Sequence, residues 1–110
     1  MNLGPGLLES AYQAVLAYEL EKVGLAVLQE HPIPLHYETV SLEMGYRADL
    51  IVENKVIVEL KSVEKVIPVH KKQLLTYLRL ADMRLGLLIN FGSPLIKHGI
   101  TRIVNGLEEK

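Results

Sequence analysis

The stretch RADLIVENKVIVELKS, residues 47–62, decides the fold. It contains two runs of β-branched and apolar residues, 50–52 and 56–58, separated by the polar tripeptide ENK. Such runs predict buried strands, and two strands joined by so short a loop form an antiparallel hairpin. The second strand also carries Glu59 and Lys61, only two residues apart. Two charges in so apolar a strand need a chemical reason.

The register of this hairpin decides which side chains meet. Side chains alternate between the faces of a strand, so Glu59 and Lys61 share one face. If the loop comprises residues 53–55, Asp49 lies opposite Glu59 on that face, with Cβ atoms ~5 Å apart. A two-residue loop would instead send Asp49 to the other face.

Two facing carboxylates repel each other and call for a positive partner. A hard divalent cation such as Mg²⁺ prefers carboxylate oxygens, and Lys61 beside it could orient or deprotonate an attacking water. The alternative is a solvent-facing side on which Glu59 and Lys61 merely pair with Asp49, Arg47 or each other. For an isolated Glu-x-Lys tripeptide this second interpretation is the commoner one.

Two helices are predicted around the hairpin. Apolar residues at helical spacing indicate a helix over residues 7–23, with Pro5 in its first turn and Gly24 at its end. A second helix begins at Pro68 and runs to about Asp82. The apolar stripe predicted for the first helix consists of Leu8, Ala11, Tyr12, Val15, Leu16 and Val23.

The remaining apolar segments predict strands. Residues 25–38 contain two prolines, which favours an edge strand, and residues 39–52 lead into the hairpin. After the second helix, residues 84–91 predict a buried strand and 99–104 one more. The order is helix, three strands, helix, then one or two strands, which indicates a mixed sheet flanked by helices of the α/β or α+β kind.

Composition limits the class of protein. At 110 residues, 49% of them hydrophobic, the chain matches one globular domain over residues 1–110. No apolar run approaches the ~18 residues that span a membrane, so we expect no membrane partner. The chain has no cysteine, which fits a reducing, cytoplasmic location.

Charge is unevenly distributed along the chain. The net charge is -1, but residues 1–60 carry nine acids and three bases, whereas residues 61–107 carry eight bases and two acids. A basic half can be the footprint of a polyanion partner, although scattered solvated lysines are the commoner explanation.

Polar residues at helical spacing accompany the hairpin. Glu9 and Gln13 lie one turn apart on the first helix, as do Gln73 and Tyr77 on the second. Each pair alone fits an ordinary amphipathic face or a favourable helix dipole. Their joint occurrence with the hairpin charges in one small domain favours a functional site.

The run G-x-x-E-x-x-Y in GLLESAY resembles the signature of the GxxExxY protein family, a branch of the PD-(D/E)XK nuclease superfamily. The likeness continues through YRADLIVENKVIVELKSVEKVIPVHKKQLLTYLRL and GLLINFG, from Gly4 to about Val104. The resemblance implies a restriction-endonuclease-like core, with a central mixed sheet of about four strands flanked by helices.

The resemblance also implies residue roles. Asp49 and Glu59 match the metal-binding carboxylates and Lys61 the catalytic lysine, while Glu9 matches the glutamate of the first helix, which would support the metal. Gln73 and Tyr77 match a Q-x-x-x-Y helix motif seen in nuclease domains similar to that of RecB. The residues expected to support the site or the substrate are Gln73, Tyr77, Lys71 and Lys72.

These expectations describe a Mg²⁺-dependent nuclease, with Mn²⁺ able to substitute, that hydrolyses phosphodiester bonds in nucleic acid, DNA above all. Family members carry a further helix ahead of LGPG, whereas this chain starts at Met1. Its absence would uncover apolar surface and favour a homodimer. The alternatives are a catalytically inactive nuclease-fold binding or assembly module and a purely structural charge cluster.

Overall fold

Two helices and seven strands make up the described part of the chain. The structure is a computed structural model. It describes residues 5–33, 35–37, 40–42, 46–92 and 99–106. The elements are α1 (Pro5–Lys22), β1 (Val27–Pro32), β2 (Leu35–Tyr37), β3 (Val40–Leu42), β4 (Arg47–Val52), β5 (Val56–Lys61), α2 (Pro68–Ala81), β6 (Leu85–Asn90) and β7 (Ile100–Val104).

Five of the strands form one mixed sheet in the order β1-β4-β5-β6-β7. Only the β5–β6 pair within it is parallel, because α2 carries the chain across the sheet between these two strands. The α+β class predicted from the sequence is confirmed, with five strands in the central sheet rather than about four. The additional hairpin β2–β3 arises because residues 25–38 and residues 39–52 each form two strands instead of one.

The β4–β5 hairpin has a three-residue loop, the length for which Asp49 and Glu59 share one face. Glu53 and Asn54 adopt left-handed backbone conformations, with φ of 55° and 53°, and the Lys55 N–H donates to the Val52 carbonyl at 3.0 Å. Val52 therefore pairs with Val56. This confirms the register from which the facing carboxylates were inferred.

The sheet separates two apolar cores. On the α1 side, Leu50, Val58 and Leu60 pack with Ala17. On the α2 side, residues of opposite parity form the second core, whose members include Ile51, Ile57, Leu74, Leu78 and Leu88. Glu59 has the parity of Ile57, so its side chain belongs to the α2 side.

The buried face of α1 differs from the predicted stripe. Tyr12, Val15 and Val23 are exposed, whereas Gln13 and Ala17 are buried. Apolar residues lie on more than one side of this helix, so their spacing did not identify the side that meets the sheet. The outer side is left as an exposed apolar surface.

Helix α2 matches the predicted bounds. Pro68 occupies its first position, the Ile67 N–H donates to His70 Nδ1 at 3.2 Å, and Asp82 ends the helix with a φ of 55°. Among the described residues, neither helix is long and apolar enough to cross a membrane.

Candidate active site

The candidate site begins where the β4–β5 ladder ends. Backbone pairing extends from Val52 and Val56 to Leu50 and Val58, and the same register brings Asp49 opposite Glu59. There, hydrogen bonds from the backbone to carboxylate side chains take the place of the backbone–backbone bonds between the strands. Asp49 Oδ2 accepts a hydrogen bond from the Leu60 N–H at 2.7 Å, and Glu59 Oε1 accepts one from the Asp49 N–H at 3.1 Å. These bonds hold the two carboxyl groups side by side.

Burial makes ionisation of this pair costly. Glu59 is 6% exposed. Its burial, followed by the charge of Asp49, raises the pKa of Glu59 to about 8, against the opposing effects of the Asp49 N–H and Lys61. Burial likewise raises the pKa of Asp49 above its ordinary value. If both carboxyl groups were ionised, the pair would carry more negative charge than its surroundings neutralise.

Lys61 follows on the same face but does not neutralise the pair by direct contact. Its ammonium lowers the pKa of both Asp49 and Glu59, so it lies within electrostatic range. Among the described residues, the ion pair within 4 Å is Arg84 with Asp82, and Lys61 has none. Simple ion pairing, the commoner explanation of the Glu-x-Lys pattern, is thus not the arrangement seen here.

Helix α1 brings Glu9 to the end of β5. Glu9 Oε1 accepts a hydrogen bond from the Ser62 N–H at 3.1 Å, directly after Lys61. The charge of Glu9 contributes, as the smallest cause, to the raised pKa of Asp49. One turn later, Gln13 is buried and donates to Gln29 on β1 at 3.4 Å. Glu9 is therefore at the site, whereas Gln13 fastens the helix to the sheet.

Helix α2 brings Gln73 and Tyr77 to the carboxylate side. Gln73 Nε2 donates to the Tyr77 hydroxyl at 3.1 Å, and Tyr77 is 6% exposed. Burial raises the pKa of Tyr77, and the charges of Glu59 and Asp49 add to the shift.

The two lysines of α2 stand apart from this group. Lys71 and Lys72 are exposed on the helix, and the described residues show no contact between their side chains and the carboxylates.

Asn90 holds the segment after Lys61 through hydrogen bonds, although its sequence position gave little indication of this role. It is buried at the end of β6, beside Lys61 in the parallel register. Its Oδ1 accepts from the N–H groups of Val63 and Gly92 at 3.0 and 3.1 Å, and its Nδ2 donates to the Val63 carbonyl at 2.8 Å. A Cβ on Gly92 would lie 2.6 Å from that carbonyl. The only sequence signal was an asparagine ending an apolar strand.

Glu30 is a further acidic residue near the pair that sequence reasoning missed. It lies between Gln29 and His31, which pair with Leu50 and Ala48, so it faces Asp49 from β1. Its φ is 49°, a left-handed conformation rare in a strand. Its charge raises the pKa of both Asp49 and Glu59.

The strand alternation also breaks at this level of the sheet. Ala48 and Ile51 pack in the same core although they are three residues apart, and Asp49 lies between them. No sequence pattern predicts a left-handed glutamate, so this distortion could not be foreseen.

The donor set fits a hard divalent cation. Asp49 and Glu59 each use one oxygen for a backbone N–H, and carboxylate oxygens are the ligands that such cations prefer. Burial and then neighbouring negative charge raise the pKa values of both carboxyl groups, so a bound cation would offset the cost of ionising them. Among the described residues, no three acidic or histidine side chains converge as a ready-made metal centre. A cation here would keep several of its waters.

Comparison with known proteins places the chain in a family. A family model described as the PD-(D/E)XK nuclease superfamily matches residues 1–103. The protein belongs to the PD-(D/E)XK nuclease superfamily, whose members generally use divalent metals. The narrower resemblance to the GxxExxY family stays a prediction. No curated protein matches the chain.

A solved structure supports the fold. The crystal structure of an alkaline exonuclease (LHK-Exo) from Laribacter hongkongensis is similar, with a TM-score of 0.60 and 15% sequence identity. The match covers 96% of this chain and 60% of the exonuclease chain. At this identity the similarity shows a shared fold.

Proposed function

We propose that this protein is a metal-dependent nuclease that hydrolyses phosphodiester bonds in nucleic acid. The observation that carries the proposal is the buried Asp49–Glu59 pair, held at the end of the hairpin with Lys61 beside it. Membership of a nuclease superfamily and the similarity to an exonuclease support it.

The proposed cofactor is Mg²⁺, with Mn²⁺ as a substitute. Asp49 and Glu59 would hold the cation through the oxygens that do not accept the backbone N–H groups, and Glu9 would support it from α1. When bound, such a cation stabilises negative charge on a phosphate and makes a nearby water more acidic. Glu59 must lose its proton to serve as a ligand, which its burial opposes until the cation is present.

The remaining roles follow from position. The Lys61 ammonium orients the attacking water and stabilises the charge that develops on the scissile phosphate. Tyr77, whose hydroxyl accepts the hydrogen bond from Gln73, forms the wall of the site on the α2 side. Lys71 and Lys72 are exposed for contact with the phosphate backbone. We propose DNA rather than RNA as the substrate.

Metal binding is the first test, because it does not require the substrate to be known. Calorimetric titration of Mn²⁺ should show saturable binding that Asp49→Asn and Glu59→Gln abolish, since each removes a ligand charge. Asp82→Asn is the matched control, because Asp82 is an exposed acid outside the site. A thermal melt checks that each variant is folded.

Cleavage is tested next with a panel of single- and double-stranded DNA and RNA. Lys61→Ala should bind Mn²⁺ like the wild type but lose cleavage by at least about two orders of magnitude, the usual scale for a catalytic electrostatic group. Absence of Mn²⁺ binding by the wild type would contradict the proposal. Metal binding without any cleavage would favour an inactive nuclease-fold binding module.

We also propose a homodimer formed through the outer side of α1. Val15 is 62% exposed there, and beside it lies a groove of about 350 Å³ whose lining is almost wholly apolar. Contiguous exposed apolar surface of this kind typically marks an interface. The groove is lined by Tyr12, Val15, Leu16, Glu19, Leu60, Ile89, Phe91 and Ile100.

A further inference from the structure

An exposed aromatic ring adjoins the carboxylate pair. Tyr46 immediately precedes β4, and its carbonyl accepts the Ile33 N–H at 2.8 Å, which fixes its backbone. Its ring packs against that of Tyr77, with centroids 5.8 Å apart and planes inclined by 54°. The backbone hydrogen bond and the contact with Tyr77 together hold the Tyr46 ring in place.

The open part of this aromatic pair belongs to Tyr46. Tyr46 is 38% exposed, whereas Tyr77 beneath it is almost fully buried. Tyr46 stands three positions before Asp49, and Tyr77 packs in the same core as Ala48, the residue next to Asp49. Burial raises the pKa of Tyr77 and the charges of Glu59 and Asp49 add to it, which agrees with this placement. A nucleotide bound at the carboxylates would therefore lie near the exposed Tyr46 ring.

We infer that Tyr46 forms a stacking position for one nucleobase next to the scissile phosphate. The inference rests on the proposed nuclease function and deepens it by naming a substrate class. In a duplex each base face is covered by its neighbours, so a base that stacks on a side chain has to be unstacked. The preferred substrate is a strand whose nucleotide at the site is unpaired, either single-stranded or at a frayed end.

The other exposed aromatic pair does not fit this role. Tyr12 and Phe91 stack face to face, with centroids 4.0 Å apart and planes inclined by 11°, so each ring already covers a face of the other. Both pack on the α1 side of the sheet, whereas Glu59 and Lys61 belong to the α2 side. The stacking position is assigned to Tyr46 alone.

The test is the binding of a labelled single-stranded DNA 12-mer, compared with the same strand carrying one abasic nucleotide. Affinities are measured by fluorescence anisotropy in Ca²⁺, which carboxylates also hold, and a gel confirms that the strand stays intact. Tyr46→Leu removes the ring but keeps apolar packing, Tyr46→Phe keeps the ring, and exposed Tyr18→Leu on α1 is the matched control. Thermal melts verify folding.

Tyr46→Leu should weaken binding of the intact strand by about 5- to 150-fold, the range of one base–aromatic stack. Tyr46→Phe and Tyr18→Leu should bind like the wild type. The loss should vanish when the abasic nucleotide is the one that would stack on Tyr46. Quenching of 2-aminopurine, placed at each position of the strand in turn, identifies that nucleotide.

Equal affinities of Tyr46→Leu and wild type, or equal binding of blunt duplex and single strand, would overturn the inference. Cleavage by the wild type would in that case leave the nuclease function intact. A wild type that neither binds nor cleaves any nucleic acid would overturn both.

Discussion

Glu59 combines two demands that oppose each other. Its side chain is buried among apolar residues and faces Asp49, so in the metal-free protein it is more stable protonated than ionised. Binding of a divalent cation requires the ionised form. In the proposed metal-bound form, the cation would offset the cost of ionising Glu59.

The stability of the metal-free protein should consequently fall as pH rises. The folded-state pKa of Glu59 is raised from 4.5 to about 8, so the folded state holds this proton more tightly than the unfolded state. The contribution of Glu59 to the free energy of unfolding is fully present below pH 4.5. It is lost as the pH rises to about 8, by at most about 1.4 kcal/mol per pH unit. Urea unfolding in EDTA from pH 5 to about 8 measures the slope.

Glu59→Gln should flatten that slope, because the amide does not titrate. Exposed Glu19→Gln on α1 is the matched control and should keep the wild-type slope. A slope that is the same in Glu59→Gln and wild type would show that burial of this carboxyl group does not govern the pH dependence.

The central residues of the candidate site were predictable, whereas Glu30 and Asn90 were not. Asp49, Glu59 and Lys61 followed from the loop length and the period-two alternation, which leave little freedom once the register is known. Glu30 reaches the site through a left-handed backbone, and Asn90 through a parallel strand that follows a helix. Neither arrangement has a local sequence signal.

At the scale of elements, further hydrogen bonds join the ends of β5 and β6 beyond those of the parallel strand pairing. The Phe91 N–H donates to the Lys61 carbonyl at 3.0 Å, and Asn90 then binds both backbone groups of Val63. The chain leaving β5 is held from β6 on one side and from Glu9 on the other. The position of Lys61 is thereby fixed by its two neighbours in the fold.

Asn90→Ala should destabilise the protein by about 2–4 kcal/mol, because three hydrogen bonds are lost and buried backbone groups are left unpaired. Asn105→Ala is the matched control. Asn105 follows β7 and its side chain donates one bond, to the Met83 carbonyl at 3.0 Å, so we expect a loss of about 1 kcal/mol. Urea denaturation compares the two variants, and equal losses would contradict the structural role assigned to the three Asn90 hydrogen bonds.

The elements themselves were largely predictable. Pro5, Gly24 and Pro68 limit the helices as expected, since proline favours a first turn and Gly24, with a φ of 94°, follows the end of α1. The buried side of α1 was predicted wrongly. Which side of a helix with dispersed apolar residues faces the sheet depends on the tertiary packing, which spacing alone does not encode.

At the scale of the whole molecule, the carboxylate pair and the exposed apolar surface of α1 lie on different sides of the sheet. The carboxylate pair belongs to the α2 side of the sheet, and the exposed residues Tyr12 and Val15 belong to the outer side of α1. A dimer formed through α1 would therefore leave both copies of the site accessible to a nucleic acid.

Val15→Glu should convert the proposed dimer into a monomer, because it places an unpaired charge in an apolar interface. Sedimentation velocity over a range of concentrations measures the change, which should exceed about 100-fold in the dissociation constant. Val69→Glu is the matched control, since Val69 is 58% exposed on α2 compared with 62% for Val15. A monomeric wild type, or equal effects of both substitutions, would contradict the α1 interface.

The hydrogen bond between Glu9 and Ser62 also has a consequence for the order in which the site forms during folding. It joins residues 53 positions apart, whereas the β4–β5 hairpin closes over three residues. Closing a long loop costs more chain entropy than closing a hairpin. During folding, we therefore expect Asp49 and Glu59 to come together before Glu9 reaches Ser62.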